Sequence, residues 1–232
     1  MEIKFCEFTC EQKDSLNQVF NRIYKLDDFE IISSVYEVFK KDFPGPTVSS
    51  AQNIPRDRIQ PITNQNNILA VFNNINFQIG IDLPVLLSPE KTCTKTVFIV
   101  GEDPLRDFLN LSSEVRLSTP FGLHMEEFRN HRLPIYWQYI EYLLGQGFNV
   151  YVTDYIKLWI KEKDKSKIHF KDDIKYNLQR AFNYELKTFN PKLIVTFGNH
   201  ASNLVNGSIG TIDTNISTIQ FPHPTGTANG KW

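Results

Sequence analysis

Four short segments carry the side chains best suited to chemistry: Gly101-Glu102-Asp103-Pro104, Asp154-Tyr155-Ile156-Lys157, Gly198-Asn199-His200 and Pro222-His223-Pro224-Thr225. They hold carboxylates at Glu102, Asp103 and Asp154, an ammonium at Lys157 and imidazoles at His200 and His223. Groups of this kind stabilise charge that develops during a reaction, often the largest single term in catalysis. A neutral imidazole donates one N–H, and a cationic one adds charge. Each residue also has a plainer reading. Asp103 before Pro104 suits the start of a helix or turn, because Asp caps well and Pro fits the first helical position. Asp154 suits a cap on the following turn, His200 a helix start, and Lys157 a solvated surface. His223 stands between two prolines, which fix the direction of its backbone.

The elements that must position these segments follow from hydrophobic patterning. Thr96–Val100 (TVFIV), Asn149–Thr153 (NVYVT), Leu193–Phe197 (LIVTF) and Ser217–Phe221 (STIQF) are short β-branched and aromatic runs, each followed closely by one of the four segments. Helical periodicity lies between them. Phe128, Ile135, Ile140 and Leu144 mark residues 124–145; Ile174, Leu178, Ala181, Phe182, Leu186 and Phe189 mark residues 172–189. This alternation predicts an α/β fold with a central four-stranded parallel sheet covered by helices. Ligands of open α/β sheets bind outside the carboxyl ends of the strands, where the four segments fall.

Residues 1–90 read differently. Leu16, Val19, Phe20 and Ile23, then Ile31, Ile32, Val35, Val38 and Phe39, predict two helices over residues 10–42. Residues 44–66, rich in Pro, Asn, Gln and Ser, read as a loop, and residues 67–90 show no clear period. The expectation is an N-terminal helical extension over 1–90, packed on a core over 91–232.

Bulk properties narrow the partners. With 232 residues and 41% hydrophobic content, the chain can bury one sizeable core. A net charge of −1 argues against strong sequence-independent binding to phosphates, though a local basic patch is compatible with it. The lysine-rich run at 161–175 reads as a solvated linker and helix start. Cys6, Cys10 and Cys93 are too few for a four-cysteine cluster and odd in number. Cys6 and Cys10 one helical turn apart could share a metal, but buried or free thiols are expected. No apolar run has membrane-spanning length and the start lacks a secretory pattern, so a cytoplasmic location is expected.

Taken together and in order, the segments resemble motifs of the uracil-DNA glycosylase superfamily over residues 95–232. Gly101-Glu102-Asp103-Pro104 is similar to the first motif, which is Gly-Gln-Asp-Pro in one branch. Pro120-Phe121-Gly122 resembles the Pro-Phe segment whose ring stacks on a flipped base. Asp154 falls where a base-reading Asn usually stands. Leu193–Gly198 followed by Ala201 resembles the apolar-strand-then-Gly segment, and His223-Pro224-Thr225 resembles His-Pro-Ser. Ala228-Asn229-Gly230-Lys231-Trp232 is similar to the end of the single-strand-selective branch.

The resemblance implies a three-layer α/β/α glycosylase-like fold. It further implies hydrolysis of the N-glycosidic bond of a damaged or modified base, uracil or a related deaminated base, in base excision repair. In that chemistry Asp103 steadies an oxocarbenium-like sugar and positions water. His223 meets charge growing on the departing base, and Glu102 adds backbone contacts or a second charge. Gly101, Pro104, Phe121 and Asp154 would hold the base; Lys157, Asn199 and Thr225 would face the nucleic-acid backbone. DNA is the implied partner, single-stranded or mismatched, since flipping costs least there. No metal or cofactor is implied. Asp154 departs from the pattern, because an ionised carboxylate offers acceptors only, whereas Asn also donates. Leu105 replaces an aromatic gatekeeper, and little chain follows His-Pro-Thr. The alternatives are an inactive superfamily member that binds nucleic acid or a protein partner, and an α/β enzyme of nucleotides or nucleosides.

Overall fold

Val97, Phe98, Ile99 and Val100 are all at most 2% exposed. An unbroken apolar run of this kind suits a strand covered on both faces rather than one. The computed structural model describes residues 2–26, 30–45, 52–64, 66–90, 95–104, 113–132, 134–162, 172–210 and 215–223. The chain runs β1 (Ile3–Phe5), α1 (Cys10–Asn21), β2 (Tyr24–Leu26), α2 (Glu30–Asp42), β3 (Gln52–Pro55), β4 (Ile59–Pro61), α3 (Asn66–Phe72), β5 (Phe77–Asp82) and β6 (Val85–Pro89). It continues through β7 (Thr96–Gly101), β8 (Glu114–Ser118), α4 (Pro134–Gly145), β9 (Asn149–Asp154), β10 (Trp159–Glu162), α5 (Asp172–Phe189), β11 (Leu193–Phe197), α6 (Asn199–Ile209) and β12 (Ser217–Phe221).

The fold is α/β, with a central sheet that is six-stranded and mixed, in the order β1-β6-β9-β7-β11-β12. The pairs β9–β7, β7–β11 and β11–β12 are parallel. The expected four-stranded parallel sheet is therefore corrected: β6 joins β9 antiparallel, and β1 joins β6 antiparallel. The sheet order places β7 between β9 and β11, so the connection after β7 leaves to one side and that after β11 to the other. This reversal is a topological switch point, where open α/β sheets leave a crevice for ligands.

Helices lie on both faces of the sheet. Side chains alternate along a strand. Phe98 and Tyr151, paired across β7 and β9, meet Phe189 of α5. Phe197 of β11 points to the opposite face and meets Tyr136 and Tyr139 of α4. The apolar stripe of α5 is the one its periodicity predicts: Ile174, Leu178, Ala181, Phe182, Leu186 and Phe189 are all buried.

Residues 1–90 are not a helical extension. α1 forms as expected, with a capping box in which Thr9 accepts from the Gln12 N–H at 3.2 Å and Gln12 answers at 2.9 Å. The same stretch also supplies β1 to β6. β5 and β3 combine with β8 and β10 in a second sheet, ordered β10-β5-β8-β3, and β2 pairs with β4. The segment expected to be a loop holds β3 and β4, and the segment without clear period holds β5 and β6. These strands run three to six residues. That is too short for alternation to stand out, and pairing with distant strands decides them instead. Among the described residues no helix is long and apolar enough to cross a membrane.

Candidate functional site

At the carboxyl end of β7 only a glycine leaves room for the side chain that the end of β9 lays over it. A Cβ on Gly101 would lie 2.1 Å from Asp154 Oδ1 and 3.3 Å from Phe121 Cζ. The Asp154 carboxylate and the tip of the Phe121 ring thus converge above one backbone position. Asp154 is 3% exposed, at the last position of β9 and paired in register with Gly101.

Phe121 reaches this point at a cost. It adopts φ 56, ψ 12 within the turn Pro120–Gly122. A left-handed conformation costs an L-residue with a side chain roughly 1–2 kcal/mol. The turn is braced from behind. The Gly122 N–H donates to Thr119 O at 2.9 Å, and the His124 N–H donates to Thr119 Oγ1 at 3.2 Å. His124 is buried, keeps Nδ1 2.9 Å from Thr119 Oγ1 and stacks on Phe39 with centroids 4.1 Å apart.

Phe121 lies flat on Tyr136, with centroids 4.0 Å apart and planes at 17°, and meets Phe197 edge-on at 6.3 Å. The Tyr136 hydroxyl is 3.3 Å from His223 Nε2. Burial, and then the charge of Asp154, push the Tyr136 phenol above its ordinary value, so it stays protonated beside the histidine. His223 is exposed and packs its Cβ near Gly198, where an added Cβ would stand 3.7 Å away. Gly198 has φ +88, which a side chain would disfavour. Asp154, Phe121, Tyr136 and His223 therefore form one continuous group beside the switch point. An aromatic plate, a buried carboxylate and an exposed imidazole there can stack a flat ring, accept N–H donors and donate to an oxygen or nitrogen.

A second polar group occupies the opposite face of the same strand end. Lys157 Nζ lies 3.0 Å from Glu185 Oε2, and both side chains are 0% exposed. Lys157 also donates to Thr153 Oγ1 at 2.5 Å and to the Asp154 carbonyl at 2.8 Å. Tyr151 and Thr153 donate to Glu185 Oε1 at 2.8 and 3.1 Å, and the Tyr24 hydroxyl donates to the Lys157 carbonyl. Burial pushes the Tyr24 and Tyr151 phenols well up, with Asp82 adding to the first and Glu185 to the second.

The expected site residues divide accordingly. Gly101, Phe121, Asp154 and His223 come together. Glu102 turns outward, with Oε1 3.3 Å from Nδ1 of the exposed His200, while its carbonyl accepts from the Ile156 N–H at 2.8 Å. Asp103 follows half-buried, and Pro104 is buried with its carbonyl 3.6 Å from the Cβ position of Gly80 in β5. Asn199 is exposed at the start of α6 and accepts from Gln220 Nε2 at 2.6 Å. The assignment of Lys157 to a nucleic-acid backbone is corrected: its ammonium is fully buried and engaged by Glu185, Thr153 and the Asp154 carbonyl. Thr225, Leu105 and Cys93 lie outside the described residues. Cys6 is buried before α1 and Cys10 is exposed at its first position, so they do not share a helical turn. Among the described residues no group of three or more His, Cys, Asp or Glu could hold a metal ion.

Two participants escaped sequence reasoning. Tyr136 sits in an aromatic-rich helix start, where nothing separates it from a core residue. Glu185 did leave a trace: it falls four residues after Ala181 and three after Phe182, on the buried stripe of α5. A carboxylate there requires a buried partner. No protein-family model matches this chain, and no curated protein matches it.

Proposed function

We propose that this protein is a DNA glycosylase-like hydrolase that takes a damaged or modified base, flipped from single-stranded or mismatched DNA, and cleaves its N-glycosidic bond. The observation that carries this reading is the strained Phe121, held flat on Tyr136 beside Asp154 and His223 at the switch point of the sheet. Sparsely populated backbone conformations in bulky residues tend to persist where a site requires them. A planar base suits an aromatic plate, and such stacking is worth about 1–3 kcal/mol per base. The ordered motif resemblance and the helix-covered parallel strands support a glycosylase-like three-layer fold. In this reading Asp103, on the loop after β7, faces the sugar, where a carboxylate stabilises positive charge and orients water. His223 donates to the leaving base, with Tyr136 holding Nε2 in place.

The test is incubation with oligonucleotides carrying uracil, hypoxanthine, xanthine or an oxidised purine, followed by alkali to cut abasic strands. Strand scission at an altered base is expected. His223→Ala should lower it by about 100-fold, the usual cost of losing one stabilising donor, and leave the unfolding midpoint nearly unchanged. Intact strands with every substrate would overturn the reading. Base-dependent retention in a gel without scission would indicate the binding-only alternative, and base release from a nucleoside alone the nucleoside enzyme.

A further inference from the structure

We propose that β12 is a docking edge for a second copy of this chain, the two β12 strands pairing antiparallel about a two-fold axis at Ile219 to make one continuous sheet. The pairing needs nothing from the base-binding site. β12 is an outermost strand of the six-stranded sheet, with β11 on its inner side. The Ser217 N–H donates to Lys192 O at 3.4 Å, and the Phe221 carbonyl accepts from the Gly198 N–H at 2.9 Å. Ser217, Ile219 and Phe221 therefore turn their backbone groups towards β11. Thr218 and Gln220, between them, turn theirs outward, and among the described residues nothing answers those backbone groups.

An open row of donors and acceptors is a template for another strand, and folded proteins ordinarily blunt it with a charge, a proline or a very short strand. Every other outer strand among the described residues does so. β1 is three residues long and carries Lys4, β3 ends in Pro55, and β10 carries Lys161 and Glu162. In the two-stranded sheet β2 carries Lys25 and β4 carries Pro61. β12, Ser-Thr-Ile-Gln-Phe, is five residues long with no charge and no proline.

The side chains beside that edge are apolar and open. Phe221 packs on Tyr139 of α4 with centroids 5.5 Å apart. Alternation puts Ile219 on the same face as Phe221, and Ile219 is 43% exposed. Tyr142, one turn beyond Tyr139 on α4, is 63% exposed.

A second copy is the occupant whose chemistry matches. Thr218 of each strand paired with Gln220 of the other answers all the outward backbone groups at once. Ile219 then meets its own copy at a position without ladder bonds, where side chains come closest. The axis stands perpendicular to the sheet, so both α4 helices fall on one side and the apolar strip of one copy runs on into that of the other. A neutral strand meets no like charge in its copy, and a net charge of −1 adds little repulsion. The same patch serves on both sides, so the contact closes at two chains.

The experiment is sedimentation velocity of the full chain from about 1 to 200 µM, the weak range of a small interface. A shift to twice the monomer mass is expected. Ile219→Lys sets like charges opposite each other, and Thr218→Pro removes an outward N–H without touching the β11 ladder. Each should keep the wild-type circular dichroism and weaken dimerisation by at least about 10-fold. Register is read by copper-phenanthroline oxidation of two thiols to one disulfide, in a Cys10→Ser, Cys93→Ser background. Ile219→Cys should cross-link, since Cα atoms opposed at such a position stand about 4.5 Å apart, within disulfide reach. Thr218→Cys should not, because its two copies lie two residues out of register. A wild-type chain that stays monomeric throughout overturns the proposal whatever the variants do. So does a dimer unmoved by both substitutions, an assembly that grows past two chains, or cross-linking that favours Thr218→Cys.

Discussion

Two polar groups flank the end of β9, and the alternation of a strand sends them to opposite faces. Thr153, with Tyr151, faces α5 and joins Lys157, Glu185 and Tyr24. Asp154 faces α4 and joins Phe121, Tyr136 and His223. Burial does not distinguish them, since Asp154 is 3% exposed and Lys157 0%. What differs is how each group is completed. The α5-side group is closed on itself: the ammonium meets a carboxylate, a hydroxyl and a carbonyl, and two tyrosines finish the set. The α4-side group holds a strained aromatic and ends in an exposed histidine. A buried charge that is fully answered from within belongs to the scaffold. A buried charge beside strain and an aromatic plate belongs to the candidate site. The two are coupled through one peptide, because Lys157 holds the carbonyl of Asp154.

The largest expected effect tests the closure of the α5-side group. Lys157→Met leaves Glu185 buried without its counter-ion and should cost about 3–5 kcal/mol of stability, read by urea denaturation. Lys157→Met combined with Glu185→Met removes both charges and should recover most of that loss, since an apolar pair can replace a buried ion pair at little cost. A single variant as stable as wild type would erase the contrast between the two groups.

Alkaline titration probes the closure of the α5-side group from its tyrosines. Burial holds the phenols of Tyr24 and Tyr151 well above their unfolded value near 10. The native state keeps these protons while the unfolded chain releases them as pH rises through that value. Stability is therefore full below about pH 10 and falls above it, by about 1.4 kcal/mol per pH unit for each tyrosine. Tyr24→Phe should flatten the slope by one such share. An unchanged slope would mean that Tyr24 reaches water in the native state.

How much of this was legible in the residues differs between the same two groups. Strands β7, β9, β11 and β12 announce themselves because each is a run of β-branched and aromatic residues stopped by Gly, Asp or Pro. Their ends carry Gly101, Asp154 and His223, and a parallel sheet gathers strand ends by construction, so that part of the site could be placed. Phe121 was visible only through its Pro-Phe-Gly context. Lys157 was misplaced because a lysine after a strand end is ordinarily solvated, and its partner lies 28 residues away on α5. Strands β3 to β6 were hidden for a related reason. Asn, Gln and Pro at positions such as Gln52, Asn53 and Pro55 argue against a strand locally, and only pairing with β8 overrides them.

The smallest expected effect on stability bears on the feature that most separates the α4-side group, the backbone of Phe121. Phe121→Gly removes the ring from Tyr136, which costs about 0.5–1.5 kcal/mol of aromatic pairing. It also adds unfolded-state entropy of roughly 0.5–1 kcal/mol. The half-buried ring also leaves its apolar surroundings, which costs about 1–2 kcal/mol; against these losses the variant relieves the left-handed conformation, about 1–2 kcal/mol, so it should be destabilised by about 1–2 kcal/mol. Phe121→Ala loses the ring equally and keeps the strain, and should be the less stable of the two variants by up to about 1 kcal/mol. Both should weaken binding of an altered-base oligonucleotide by about 10- to 100-fold, the worth of one stacked base. If the glycine variant proves less stable than the alanine variant, the backbone of Phe121 carries no strain. If both variants bind as wild type, Phe121 belongs with the scaffold and the distinction between the two faces of β9 fails at its most exposed point.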